Sequence, residues 1–134
     1  MRTGKLDIQS TTYMEMIDIT THIEKITTTS EIETGFCFLF NPHTTSGLTI
    51  NEGADPDVRE DIITGLKHIV PMRLHYQHVE GNSPSHIMAS LMGCSLTIFI
   101  ENSRPFLGQW QKIFFCEFDG PRSRQIHWRL AANI

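Results

Sequence analysis

Past Gly93 the apolar residues recur at every second position, and this alternation limits the fold more than any other feature of the chain. Leu96, Ile98 and Ile100 alternate with Ser95, Thr97 and Phe99. In Gln109–Phe118, Trp110, Lys112, Phe114, Cys116 and Phe118 alternate with Gln109, Gln111, Ile113, Phe115 and Glu117. In Arg124–Leu130, Ile126 and Trp128 share one side. A period of two puts successive side chains on opposite faces of a pleated strand. Asp119–Gly120–Pro121 has the residues of a turn between the last two strands. The C-terminal third therefore reads as strands of an antiparallel sheet.

The N-terminal part adds strands and helices in alternation. Strands are expected near Leu6–Gln9, over Thr12–Asp18, over Phe36–Phe40 and over Leu48–Asn51. Phe36–Cys37–Phe38–Leu39–Phe40 is apolar at every position, the pattern of a strand buried on both faces. Thr21 and Glu24 have the spacing of a capping box, which predicts a helix over Thr21–Thr29 with Ile19, Ile23 and Ile26 inward. Asp55 as cap, Pro56 at the first helical position and Asp57 behind them open a second helix. Val58, Ile62, Leu66 and Ile69 would form its apolar face, ending at Pro71. Ser83–Pro84 opens a third, with Ile87 and Leu91 one turn apart and Gly93 as its stop. The order β-β-α-β-β-α-α-β-β-β predicts a single compact α+β domain, residues 1–134, with a largely antiparallel sheet or sandwich and two to three helices.

Composition narrows the class of function. With 40% hydrophobic and 19% charged residues the chain is globular. A net charge of −4 argues against a nucleic-acid surface or an anionic membrane as partner. No apolar run approaches the roughly 20 residues that span a bilayer, and the segment MRTGKLDIQS lacks a secretory h-region. Cys37, Cys94 and Cys116 lie far apart among apolar neighbours, which suggests reduced core thiols and a cytoplasmic protein. Residues 1–66 carry eleven acids against four bases, whereas residues 101–134 carry five bases against three acids. The C-terminal part is thus the better place for an anion site, although such a difference is also ordinary surface variation.

Seven histidines are the chemical oddity, and three sit where a site would be built: His43, His78 and His86. Three imidazoles with an open position make a catalytic metal centre; the alternative is three loop histidines bonded to backbone. Thr44 and Thr45 follow the first histidine, and Glu80 and Asn82 follow the second. Glu52 and Glu80 are candidate general bases, or else solvated loop carboxylates. Arg122 and Arg124, beyond the Gly120–Pro121 turn, are a candidate phosphate clamp.

These segments together resemble the YjbQ-like family. The matching stretches are His43–Glu52, Asp55–Val58, His78 with Glu80-Gly81-Asn82, His86–Gly93, Leu107–Gln111 and Glu117–Arg124, in one order across essentially the whole chain. The resemblance implies a homotrimer with a metal bound by His43, His78 and His86; three imidazoles favour a divalent, Zn-like ion, with Mg²⁺ the alternative for a diphosphate substrate. It also implies a secondary thiamine-phosphate synthase activity, joining hydroxymethylpyrimidine diphosphate to a thiazole phosphate with release of pyrophosphate. Thr44, Thr45, Asn82, Arg122 and Arg124 would then hold a small phosphorylated molecule. The chain departs from the family at Asn82-Ser83-Pro84-Ser85, where an acidic residue is usual, and over Glu101–Leu107, where a short Gly-Arg-Leu turn is usual. Two rival readings stand beside this one: a metal-assisted hydrolase of a small phosphorylated substrate, and a non-catalytic ligand-binding regulatory trimer.

Overall fold

The strand over Gln111–Glu117 is buried along almost its whole length, and the molecule is layered around it. A computed structural model describes residues 2–133. Eight strands and three helices follow in the order β1 (Arg2–Gln9), β2 (Glu15–Asp18), α1 (Thr20–Thr29), β3 (Thr34–Phe40), β4 (Ser46–Glu52), α2 (Pro56–Ile69), α3 (Ser83–Met92), β5 (Ser95–Glu101), β6 (Arg104–Pro105), β7 (Gln111–Glu117) and β8 (Ser123–Ala132). The larger sheet has the strand order β1-β8-β3-β5-β6 and the smaller one β2-β7-β4. Every pairing is antiparallel. This is the expected α+β domain, with the two-residue β6 as an addition to the predicted order.

Alternate residues of β7 face different cores. Ile113 and Phe115 join Cys37, Leu39, Ile98, Ile126 and Leu130 between the two sheets. Phe114 and Cys116 instead meet Met88, Ala89 and Val70 beneath α2 and α3. Sheet, sheet and helices therefore form three layers, and the middle layer tolerates no polar face. The helix α1 closes one end of the inter-sheet core with Ile19 and Ile23.

The chain corrects several sequence expectations. β3 is not buried on both faces: Cys37 and Leu39 point inward, whereas Phe36, Phe38 and Phe40 are 36%, 39% and 51% exposed. Double burial belongs to β7. The capping box at α1 does not form; the Thr20 N–H instead bonds Asp18 Oδ1 at 2.9 Å. On α2 the predicted cap holds, with Asp55 accepting from the Asp57 N–H at 2.9 Å. Ile69, however, is exposed and no α2 residue is fully buried, because this helix lies at the outer surface. On α3 the inward face is Pro84, Ser85, Met88 and Ala89, which leaves Ile87 and Leu91 outside. Cys94 is exposed, not in the core, and no cysteine among the described residues forms a disulfide. No helix among the described residues is long and apolar enough to cross a membrane.

The layering predicts contrasting mutational costs. Phe114→Ala removes a fully buried ring facing the helices, which should cost about 3–5 kcal/mol. Leu91→Ala on the outer side of α3 should cost less than about 0.5 kcal/mol. Urea unfolding of the two variants checks this ordering; equal losses would contradict the layer assignment.

Candidate functional site

Three segments meet at one rim of the layers: the loop after β3, the segment leading into α3, and the β7–β8 turn. Asn41, only 1% exposed, shapes the first. Its N–H bonds the Cys94 carbonyl at 2.8 Å, its Oδ1 accepts from the His43 N–H at 3.0 Å, and its Nδ2 donates to Ser46 Oγ at 3.0 Å. The second is tied to the third through Ser85, whose Oγ donates to the Phe118 carbonyl at 2.7 Å. Asn82 Nδ2 adds a 3.0 Å bond to Asp119 Oδ2. Gly120 lets the turn close. A Cβ there would lie 2.2 Å from the Thr12 carbonyl oxygen and 2.8 Å from Ser10 Oγ.

The cavity framed by these segments measures about 420 Å³, within the usual size of small-molecule sites. His43, Thr44, Thr45, His78, Glu80, Asn82, His86, Arg122 and Arg124 all line it. Nine of the ten residues singled out from sequence thus come together. Glu52 does not. It lies at the far end of the seven-residue β4, about 20 Å along the strand at its usual rise. Its carboxylate accepts from the Ala54 and Asp55 N–H groups at 2.7 and 2.8 Å, which fixes the approach to α2. Within one chain Glu52 is a turn-forming residue.

Arg124 is the best-anchored cation in the cavity. Its side chain is 5% exposed and that of Glu117 is 0% exposed. Nε donates to Glu117 Oε1 at 2.8 Å, and Nη2 to Glu117 Oε2 and, at 2.9 Å, to Thr45 Oγ1. Glu117 also accepts from Ser10 Oγ at 2.6 Å and from the Asp119 N–H at 3.1 Å. Burial alone would raise the Glu117 pKa. The bonds from Arg124, Ser10 and Asp119, with the guanidinium charge, outweigh it and hold the carboxyl below its ordinary value. Nη1 of Arg124 has no hydrogen-bond partner among the described residues. Arg122 is exposed and folded onto its own turn, bonding the Asp119 carbonyl at 2.7 Å and Asp119 Oδ2 at 3.0 Å.

The histidines differ in freedom. His43 Nε2 lies 3.0 Å from the Gln125 nitrogen and 3.1 Å from its carbonyl oxygen. Two tautomers follow: Nε2 accepts from the N–H, or it donates to the carbonyl and leaves an Nδ1 lone pair. Burial, with the nearby Arg124 charge, lowers the His43 pKa against the opposing effects of Gln125 and Glu117, favouring neutral imidazole. The His78 and His86 rings meet edge to face with centroids 5.3 Å apart, and Glu80 Oε1 lies 4.0 Å from His78 Nε2. Three imidazoles and a carboxylate suit a Zn-like ion by donor type. As placed, no three His, Cys, Asp or Glu side chains among the described residues converge tightly enough to enclose one. The buried Asn82 Oδ1, which has no partner, adds a further acceptor beside them.

Glu117, Asp119 and Ser10 are site-forming residues that the sequence reading missed. Glu117 had a signal: a carboxylate inside an apolar run, seven residues before an arginine, calls for a buried partner. Ser10 had none, since its contact with Glu117 spans 107 positions.

Because the folded Glu117 pKa is depressed, its contribution to stability is complete above the ordinary carboxyl value of 4.5 and is lost as pH falls through the folded one. Glu117→Gln leaves Arg124 buried without its counter-charge, which should cost about 3–5 kcal/mol at neutral pH. The variant should also flatten the acid limb of stability below about pH 4.5. Thermal melts across pH check both; an unchanged acid limb would contradict the pairing.

Comparison with known proteins agrees with this architecture. The family model described as UPF0047 protein YjbQ-like matches residues 4–133. A UPF0047 protein of Methanocaldococcus jannaschii is 46% identical over 96% of this chain and 94% of its own length. YugU of Bacillus subtilis is 42% identical over 93% and 96% respectively. An uncharacterized YjbQ/UPF0047 protein of Clostridium acetobutylicum superposes with a TM-score of 0.93 at 45% identity, covering 96% of this chain and 99% of that one. A YbjQ-like protein of unknown function from Sulfolobus solfataricus superposes with the same TM-score, 0.93, at 27% identity, covering 98% and 97%. In sequence and in fold, this chain belongs to the YjbQ-like, UPF0047 family.

Proposed function

We propose that the cavity binds a small phosphorylated molecule and that the chain is a thiamine-phosphate synthase-like transferase. The observation that carries this reading is Arg124. A guanidinium locked by Glu117 and Thr45, with Nη1 left without a partner at the cavity, is a preorganised donor for phosphate. Arg122 and Thr44 line the same cavity.

In the proposed reaction the C–O bond between the pyrimidine methylene and its diphosphate breaks. The thiazole nitrogen supplies the electron pair for the new C–N bond, and pyrophosphate leaves with its charge held by the arginines. The nucleophilic ring nitrogen carries no proton, so this chemistry requires no general base. Glu80, 4.0 Å from His78, would then orient a histidine. A divalent, Zn-like ion held by His43, through Nδ1, His78 and His86 would supply positive charge to the departing pyrophosphate; with a diphosphate substrate Mg²⁺ is the alternative. The same Glu80–His78 pair favours a second reading, a metal-assisted hydrolase, in which the carboxylate activates water.

A homotrimer is part of the proposal. The outer face of the larger sheet presents Phe36, Phe38, Phe40 and Phe99, all at least 36% exposed. The Phe36 ring lies 6.1 Å from that of Phe38 and 5.9 Å from that of Phe99. Such an aromatic patch has the composition of a subunit interface. We place the protein in the cytoplasm, where its free cysteines would stay reduced.

The test combines hydroxymethylpyrimidine diphosphate and thiazole phosphate with protein reconstituted with Zn²⁺, Mn²⁺ or Mg²⁺, and follows thiamine phosphate and pyrophosphate. Arg124→Lys should lower turnover about 100-fold or more, since loss of a fixed transition-state donor typically costs 10²–10³. Glu80→Gln should retain most transferase activity but abolish a hydrolase. Equimolar pyrophosphate without thiamine phosphate would favour hydrolysis. No turnover of either kind would reject both enzyme readings.

A further inference from the structure

A second cavity of about 520 Å³ adjoins the polar one and shares His43, Thr44 and His86 with it. Its remaining walls are Ser46, Ala89, Ser90, Gly93 and Cys94, and none of these carries a charge. Both serine hydroxyls are already engaged inside the protein. Ser46 Oγ accepts from Asn41 Nδ2 at 3.0 Å, and Ser90 Oγ donates to the His86 carbonyl at 3.0 Å. The walls beyond the shared histidines therefore offer carbon and sulfur more than unsatisfied polar atoms. Cys94 is exposed at this cavity. The wall is also held firmly: a Cβ on Gly47 would come within 2.8 Å of Met92 Cβ, so α3 sits directly on β4.

The division of charge between the two cavities is sharp. Arg122 and Arg124 line only the first; small uncharged residues line the second; His43 and His86 lie between them. From this we infer that the second cavity is the subsite for the aromatic ring of the substrate, oriented by its diphosphate in the first. Small side chains let a flat ring approach the α3 backbone, and the Cys94 sulfur offers a polarisable contact at the ring edge. The inference deepens the proposed function, because it depends on the first cavity holding the diphosphate. It assigns ring recognition to Ala89, Ser90 and Cys94, which differ in chemistry from the phosphate-binding groups. Narrowing this chamber would then change which substrates fit without changing anion binding.

Calorimetric titration of the whole protein with inorganic pyrophosphate and, separately, with hydroxymethylpyrimidine diphosphate tests it. Wild type should bind both. Cys94→Trp, whose indole would occupy the chamber, should weaken the pyrimidine compound by about tenfold or more, about 1.4 kcal/mol, while leaving pyrophosphate within about twofold. Ser90→Trp, at an exposed α3 position, should do the same and decides the matter if Cys94→Trp fails to melt cooperatively. Unchanged binding of the pyrimidine compound, or equal weakening of both compounds, overturns the chamber assignment while the diphosphate reading stands. Wild type that binds neither compound overturns the diphosphate reading and the inference with it.

Discussion

The buried ion pair between Glu117 and Arg124 joins the parts of this molecule that matter for function. Glu117 ends the central strand of the smaller sheet, and Arg124 is the second residue of β8, the strand that pairs with both β1 and β3 in the larger one. Ser10 Oγ, the Thr45 hydroxyl and the Asp119 N–H add hydrogen bonds that leave only Arg124 Nη1 without a partner among the described residues. Burying two charges is expensive unless their remaining donors and acceptors are satisfied. Here those bonds come from the end of β1, the His43 loop and the β7–β8 turn. One electrostatic requirement thus fixes three chain segments, and two of them, the His43 loop and the β7–β8 turn, frame the cavity together with the segment leading into α3.

The layering explains why the site lies at a rim. β7 is covered on both faces, by the larger sheet on one side and by α2 and α3 on the other. Polar chemistry has no place along its apolar middle, and becomes accessible only where the strand ends at Glu117 and the chain turns back through Gly120. The N-terminal turn of α3 arrives at the same rim, with Asn82 and His86 among the cavity residues. Backbone groups at a helix start favour anions, in keeping with the arginines opposite.

Local signals mark most of the strands, all three helices and the three histidines that line the cavity. Asp55–Pro56 marked the start of α2 because capping is a contact between near neighbours. The misassignments share a physical cause. Phe36–Phe40 and Ile113–Cys116 are both apolar at every position, and periodicity cannot distinguish a doubly buried strand from one with an uncovered aromatic face. Similarly, Ile87 and Leu91 formed the more apolar pair on α3, yet Pro84, Ser85 and Met88 face inward. The Ser85 hydroxyl is satisfied there by the Phe118 carbonyl, a contact invisible to any local pattern. Glu52 stands only nine residues from His43 in sequence, but the extended strand β4 carries it away from the site. Glu117 and Ser10 entered the site only through tertiary pairing.

The central claim is that Arg124, held by Glu117, presents a fixed donor to a phosphate group. The most direct measurement is a crystal structure of the protein soaked with inorganic pyrophosphate. The account predicts pyrophosphate in the cavity between Arg124, Arg122 and Thr44, with a phosphate oxygen about 2.7–2.9 Å from Arg124 Nη1 and the Glu117 pair intact. Pyrophosphate bound elsewhere with Arg124 Nη1 untouched, or an empty cavity at saturating pyrophosphate, would contradict it.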